Sequence, residues 1–490
     1  MKLTKKLFSM ILVILLMLQI GHFNVGDLSA NTVSASANNV FYIDPVIGDI
    51  NNNGSYDKPW STLQEVIENN LIETFQPKSY PYDGTGSLVK KNEGAPVKAG
   101  DTIVLRNGYH GQLSILRAYN PDYITIKAQE SHTPKLSGIS ITSASKWHLK
   151  GLTISPEFAE QYQKGNIINI AKNGYSGSSY DIIIEGCTGY SVQDTSKWTA
   201  DDWNTKSCSG ITSFGYNISI ENNYLKNVNF GISVSGNNSI VRNNTVENFA
   251  GDGLRGIADD LLFEGNVIKN CYDVNGNHDD GFQSWAVNGD PPERVTLRGN
   301  LFINNEDPNQ PFVGTLQGIG LFDGPYIDWT IENNIVAVDH WHGISIYGGV
   351  NCKIVNNTVV DLNNVKPGPP WIRVNPTKIG EPSKNCIVRN NIAPSYAIQE
   401  GTTSDHNYKI TDYNELFVDY AGLNLHLKAG AQVIDAGLSE LSPDKDFDGN
   451  TRPSGKGVDI GAYEYQYVTV ISTPVATPTT TSVPPPTPSQ

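Results

Sequence analysis

From about Val40 to Tyr465 the chain is a succession of short runs in which apolar and polar residues alternate, broken every few residues by Gly or Asn. A period of two over three to six residues predicts half-buried strands rather than helices. One phrase recurs: apolar residues, a polar residue, Asn or Gly, and then usually Asn. Its copies end at Cys187, Asn223, Asn244, Asn266, Asn300, Asn334, Asn357 and Asn391, at steps of 36, 21, 22, 34, 34, 23 and 34 residues. A unit of about 22 residues, lengthened in places by insertions of about 12, accounts for every step. A second phrase precedes most copies, a glycine followed by apolar–polar–apolar alternation, at Gly210, Gly231, Gly253, Gly281, Gly318 and Gly343. Short strands with an asparagine at a fixed bend of each unit predict an all-β parallel solenoid. Its stacked Asn side chains would hydrogen-bond from coil to coil. The leucine spacing of leucine-rich repeats is absent.

A solenoid exposes strand edges at its ends and needs covers there. Tyr42 to Pro45 and Lys58 to Ile67 predict a first strand and an N-terminal capping helix, and Asp446 to Glu464 predicts a closing segment. Asp446, Asp448 and Asn450 have the spacing of a calcium loop, but the remainder of such a loop is missing, so a tight turn is expected. Residues 1–37 read as a secretory signal peptide: Lys2, Lys5 and Lys6, an apolar run from Leu7 to Ile20, and Ala35-Ser36-Ala37 as a cleavage site. That run is too short for a confident membrane span. Residues 38–467 form the expected catalytic domain. Residues 468–490 are a Pro/Thr-rich linker or stalk, with room for a further module beyond it. The five cysteines cannot all pair internally and fit no metal spacing, which predicts small buried residues.

Composition narrows the function. A formal charge of −15 excludes a nucleic-acid binder, which needs a basic stripe. The 46 glycines and the low 17% of charged residues suit tight turns and buried strands.

Aligning the glycine phrases stacks Ser209, Phe230, Asp252, Asp280, Gln317 and His342 into one column. Rungs lie about 4.8 Å apart, so Asp252 and Asp280 should be neighbours, with Asp279 beside them. Repelling carboxylates at one place cost stability unless they serve a purpose. Alternation puts Ile211, Ile232, Leu254, Phe282, Ile319 and Ile344 inward and Arg255, Gln283 and Ser345 outward. Trp285, Phe322 and Tyr347 follow as an outward aromatic rail suited to sugar rings. Insertions near 270–279 and 303–316 would wall a groove beside this face.

The repeat resembles the secreted right-handed parallel β-helix enzymes of the pectin-lyase-like superfamily, over about Val40 to Tyr465. The site partly resembles polygalacturonase-type glycoside hydrolases: Asp252-Gly253, the pair Asp279-Asp280, His342-Gly343 and Arg373 match that family's steps, while Asn375 stands in place of its lysine. The resemblance implies a secreted, monomeric enzyme acting without a cofactor on a plant or algal polysaccharide. Its expected catalytic residues are Asp252, Asp279, Asp280 and His342. Asp279 would protonate the leaving oxygen, and Asp252 and Asp280 would activate water with inversion. Arg255, Gln283, Trp285, Gln317, Phe322, Tyr347 and Arg373 would bind sugar. His278 and His340 are expected loop residues. The same fold hosts other chemistry. A polysaccharide lyase or C5-epimerase would use calcium held by Asp259, Asp260, Asp279 and Asp280, and a glycan-binding surface protein would need the rail alone.

Overall fold

A computed structural model describes residues 38–467 apart from Pro308. The stretches expected to be a signal peptide, 1–37, and a linker or stalk, 468–490, lie outside the described residues. The chain winds into a right-handed parallel β-helix with three strands per coil. One representative coil runs Ile232–Val234, Ile240–Arg242 and Thr245–Phe249, and the next begins at Leu254–Gly256. Each strand pairs in parallel with its counterpart one coil later, for example Ile232 with Leu254, Val241 with Phe263 and Val246 with Ile268. The first two strands of each coil belong to a 23-stranded sheet that turns a corner along the continuous strand Ile139–Lys150. The third belongs to a 12-stranded sheet.

The core fills the coil interior. Ile211, Ile232, Leu254, Phe282, Ile319 and Ile344 are all buried there, as the alternation predicts. A fully buried Leu or Ile side chain contributes about 1.5–3 kcal/mol, and the coil repeats the burial on every rung. The six glycines are explained by crowding. A side chain at Gly231 would strike the carbonyl of Gly253 and the Val246 side chain, and Gly318 faces Gly343 and Val336 in the same way.

The asparagine ladder is present. The Oδ1 of Asn244 accepts from the backbone and the Nδ2 of Asn223, and its own Nδ2 donates to Ile220 and Asn266. The pattern continues through Asn300, Asn334, Asn357 and Asn391 and ends one rung later than the repeat predicts, at Asn407. The preceding residue bends left-handed, with φ of 54° at Asn243, 65° at Gly265 and 53° at Asn356. That bend is why the phrase carries Asn or Gly there and nothing β-branched.

The expected helix is Leu63–Glu68, N-capped by Thr62, with Leu63 and Val66 in the core. Asp446 closes a turn on Asn450 and also accepts from the Glu464 amide, so its oxygens are engaged within the protein. All five cysteines are free and buried. Among the described residues, no helix is long and apolar enough to cross a membrane.

Candidate active site

The outward-facing first strand of each coil builds a groove. Hydrogen bonds fix the predicted column: Gly210 donates to Phe230, Gly231 to Asp252 and Gly253 to Asp280, and Asp280 pairs with Gln317. His342 follows one coil on, because Ile319 pairs with Ile344. The wall is built from the insertions. Residues 272–279 pair with 312–313 through Tyr272–Val313 and Asp273–Phe312. A helix at Ala200–Lys206 braces them, with Asn204 bonded to Val274 and Asn275. The coil repeat does not predict this helix. Its signal is the capping box from Thr199 to Asp202.

Asp252, Asp279 and Asp280 come together here. The Asp280 amide donates to Asp252 Oδ1 at 3.1 Å, and Arg255 Nε donates to Asp252 Oδ2 at 2.5 Å. The Arg255 guanidinium lies 3.6 Å from the Phe230 ring centroid and 5.7 Å from that of Trp285. Arg255 is therefore a partner of the acids. Asp280 Oδ2 accepts from Gln283 Nε2 at 3.1 Å and lies 3.2 Å from His278 Nδ1. Asp279 Oδ1, Asp280 Oδ1 and Gln317 Oε1 are buried without a partner. A pocket of about 230 Å³ opens at this point, lined by Phe230, Asp252, Arg255, His278, Asp279 and Gln283 among others.

The electrostatics follow from burial. Asp279 is pushed up to about 7, first by burial and then by the charges of Asp252, Asp273 and Asp280. Burial, with Asp252 adding to it, pushes Asp280 to about 7, against the opposing pull of His278. Burial also raises Asp252, while Arg255 pulls it back down. His278 is raised by its hydrogen bond to Asp280.

One residue that sequence reasoning missed makes this geometry possible. Gly320 occupies the outward position between Gln283 and Ser345. A Cβ there would collide with Asp280 Oδ1 and the Phe322 ring. The gap lets the Asp280 carboxylate lie against the next rung. A lone glycine in an alternating run was the available signal.

Several predicted residues sit elsewhere. His342 is two rungs from Asp280, about 10 Å by rung spacing, and outside the acid cluster. Its Nδ1 accepts from Trp371 Nε1 at 3.3 Å and lies 2.9 Å from Ser345 Oγ. Burial, then His340 and Arg373, lower it to about 4, so the ring is neutral at neutral pH. It packs edge-on to Phe322 at 4.7 Å and stacks on His340 at 5.3 Å. The rail is not continuous. A bulge after Ser284 pairs Trp285 with Asp323 instead of Phe322, so Trp285 faces Arg255, while Phe322 and Tyr347 meet edge-on at 5.6 Å. A second aromatic pair, Trp341 and Trp371, stacks nearby at 6.1 Å. Arg373 lies over Tyr347 and Trp371 with its Nε unpaired.

The calcium set expected for a lyase is not assembled. Asp259 and Asp260 are bound by Arg294, at 3.6 and 2.6 Å. Asp252 and Asp280 each give one oxygen to Arg255 or His278. A calcium ion would have to displace these cationic partners, so the residues as arranged do not fit it.

Comparison with known proteins agrees with the fold. A family profile described as "Right handed beta helix region" matches residues 215–411. No curated protein sequence matches the chain. Among solved structures, the pectate lyase Pel9A is 16% identical, with 88% of this chain and 97% of that one covered at a TM-score of 0.50. The Azotobacter vinelandii mannuronan C-5 epimerase AlgE6 A-module is 12% identical over 64% of this chain and 91% of that one, with a TM-score of 0.44. The GH136 lacto-N-biosidase from Eubacterium ramulus is 13% identical over 76% and 67%, also with a TM-score of 0.44.

Proposed function

We propose that this chain is a secreted polysaccharide-cleaving enzyme, specifically a glycoside hydrolase working from the Asp252–Asp279–Asp280 cluster. The observation that carries the reading is the pair Asp279 and Asp280, both pushed to about 7 on one rung of a walled groove. A carboxyl group near 7 keeps its proton at neutral pH and can still release it, as glycoside cleavage requires of its acid. Asp279 lines the pocket and donates the proton to the leaving oxygen. The base half, which activates water, works beside Asp279 in the charge field that Asp252 and Asp280 set. Phe322, Tyr347, Trp341 and Trp371 offer ring faces and edges to sugars one to three rungs away, and His342 acts there as a neutral hydrogen-bonding group. The apolar leader supports export, and no metal takes part.

A second reading, a lyase or epimerase acting on an acidic glycan, is favoured by Arg373, whose guanidinium lies over Tyr347 and Trp371 on the groove face and is of the kind that pairs with a uronate carboxylate. Incubation with a panel of neutral and acidic polysaccharides, with and without chelator, separates the two. The hydrolase reading expects new reducing ends, no ultraviolet absorbance from unsaturated uronates, and a rate indifferent to chelator. Appearance of that absorbance establishes the lyase instead, and binding without products leaves a glycan-binding protein.

A further inference from the structure

We infer that His278 is the catalytic residue that takes the proton from the attacking water, with Asp280 behind it as a positioning residue. This rests on the glycan-hydrolase reading above and assigns its base half.

Asp280 has no exposed side-chain surface, whereas the His278 side chain is 64% exposed. Asp280 does not line the pocket, and His278 does. Asp280 is shut in by Gln283, by the Gly320 backbone and by His278 itself. A carboxylate so enclosed cannot touch a sugar or its water. It can hold a group that does: Asp280 Oδ2 lies 3.2 Å from His278 Nδ1, and in its ionised form Asp280 accepts from Nδ1–H and leaves Nε2 as the ring's acceptor. A buried carboxylate orienting an accessible imidazole is the general logic of paired bases.

Other charged groups tune the pair. Asp252 and Arg255 face it from the start of the neighbouring rung, Asp279 and Gln283 flank it on its own, and His340 and His342 feel its charge from two rungs on. The three carboxylates favour the protonated ring, which strengthens it as a base.

The step balances. His278 Nε2 accepts a proton from water as the water oxygen bonds to the anomeric carbon. The glycosidic carbon–oxygen bond breaks, and the leaving oxygen takes the Asp279 proton. His278 ends protonated and Asp279 ionised, and solvent returns the proton between them.

The test is turnover against pH for wild type, His278→Gln and Asp280→Asn on a glycan the wild type cleaves, with folding checked by thermal melting. His278→Gln should lower kcat by about 10²–10⁴-fold, leave KM nearly unchanged and abolish the acid limb. Asp280→Asn should lose less rate and move the acid limb to lower pH, which a merely structural role would not do. A His278→Gln enzyme within about twofold of wild type with both limbs intact overturns the inference, as does an unmoved limb in Asp280→Asn. A wild type that cleaves nothing on the panel overturns the hydrolase reading itself, and this inference with it.

Discussion

The asparagine ladder and the middle of the groove column, Asp252, Asp280 and Gln317, both stack buried polar side chains on successive coils, and they differ in how they are satisfied. Each inner ladder asparagine gives and receives bonds on both sides, as Asn244 does with Asn223, Ile220 and Asn266. The groove column holds carboxylates against one another and leaves Asp279 Oδ1, Asp280 Oδ1 and Gln317 Oε1 without partners. A satisfied buried row stabilises the coil. An unsatisfied one costs stability, about 1–3 kcal/mol for each orphaned group, and persists where that cost supports chemistry. The same backbone repeat therefore carries a structural row at one bend and a reactive row at another.

The comparison can be broken at either end. The largest effect should come from Asp279→Asn, which keeps the shape and removes the acid. A loss of about 10²–10⁴-fold in kcat, with the melting temperature unchanged or raised, is expected from steady-state kinetics and calorimetry. Next comes the ladder. Asn266→Ala takes the acceptor from both the amide and the side chain of Asn244, so chemical denaturation should show a loss of several kcal/mol, at about 1–3 kcal/mol for each group. The turnover of the molecules still folded should not change.

A third prediction concerns pH and stability. Asp280 lies near 7 when folded and about 3.9 when unfolded. Its folded state holds the proton more tightly, so its contribution is full below about pH 4 and is lost as pH rises through about 7. The melting temperature of the wild type should therefore fall more between pH 5 and 8 than that of Asp280→Asn. Equal slopes would show that the carboxyl is not buried as described. The smallest effect is expected at the exposed Trp341 of the stacked pair. Trp341→Ala should raise KM by about two- to tenfold, the worth of one aromatic contact, and leave kcat in place.

The fold was legible because its signals repeat. One Asn–Asn phrase is weak, but eight copies at related steps define a coil, and Asn407 escaped because Thr403-Ser404 stand where the phrase carries apolar residues and His406 where it carries Asn or Gly. The column of Ser209, Phe230, Asp252, Asp280, Gln317 and His342 could be read for the same reason. What could not be read depends on depth and on local slips of register. Alternation places Asp280 outward but does not show that Gly320 and Gln283 close over it. Nothing in the spacing reveals the bulge at Ser284 that turns Trp285 toward Arg255. Asp259 and Asp260 looked available as ligands because Arg294, their partner, lies 34 residues further on, one coil away.

The central claim, that an acid kept protonated by burial drives cleavage in the groove, is tested most directly by wild-type kcat measured against pH on a cleaved glycan. The account predicts that kcat falls as pH rises through about 7, as Asp279 loses its proton. A rate that is flat or still rising through that range would contradict it.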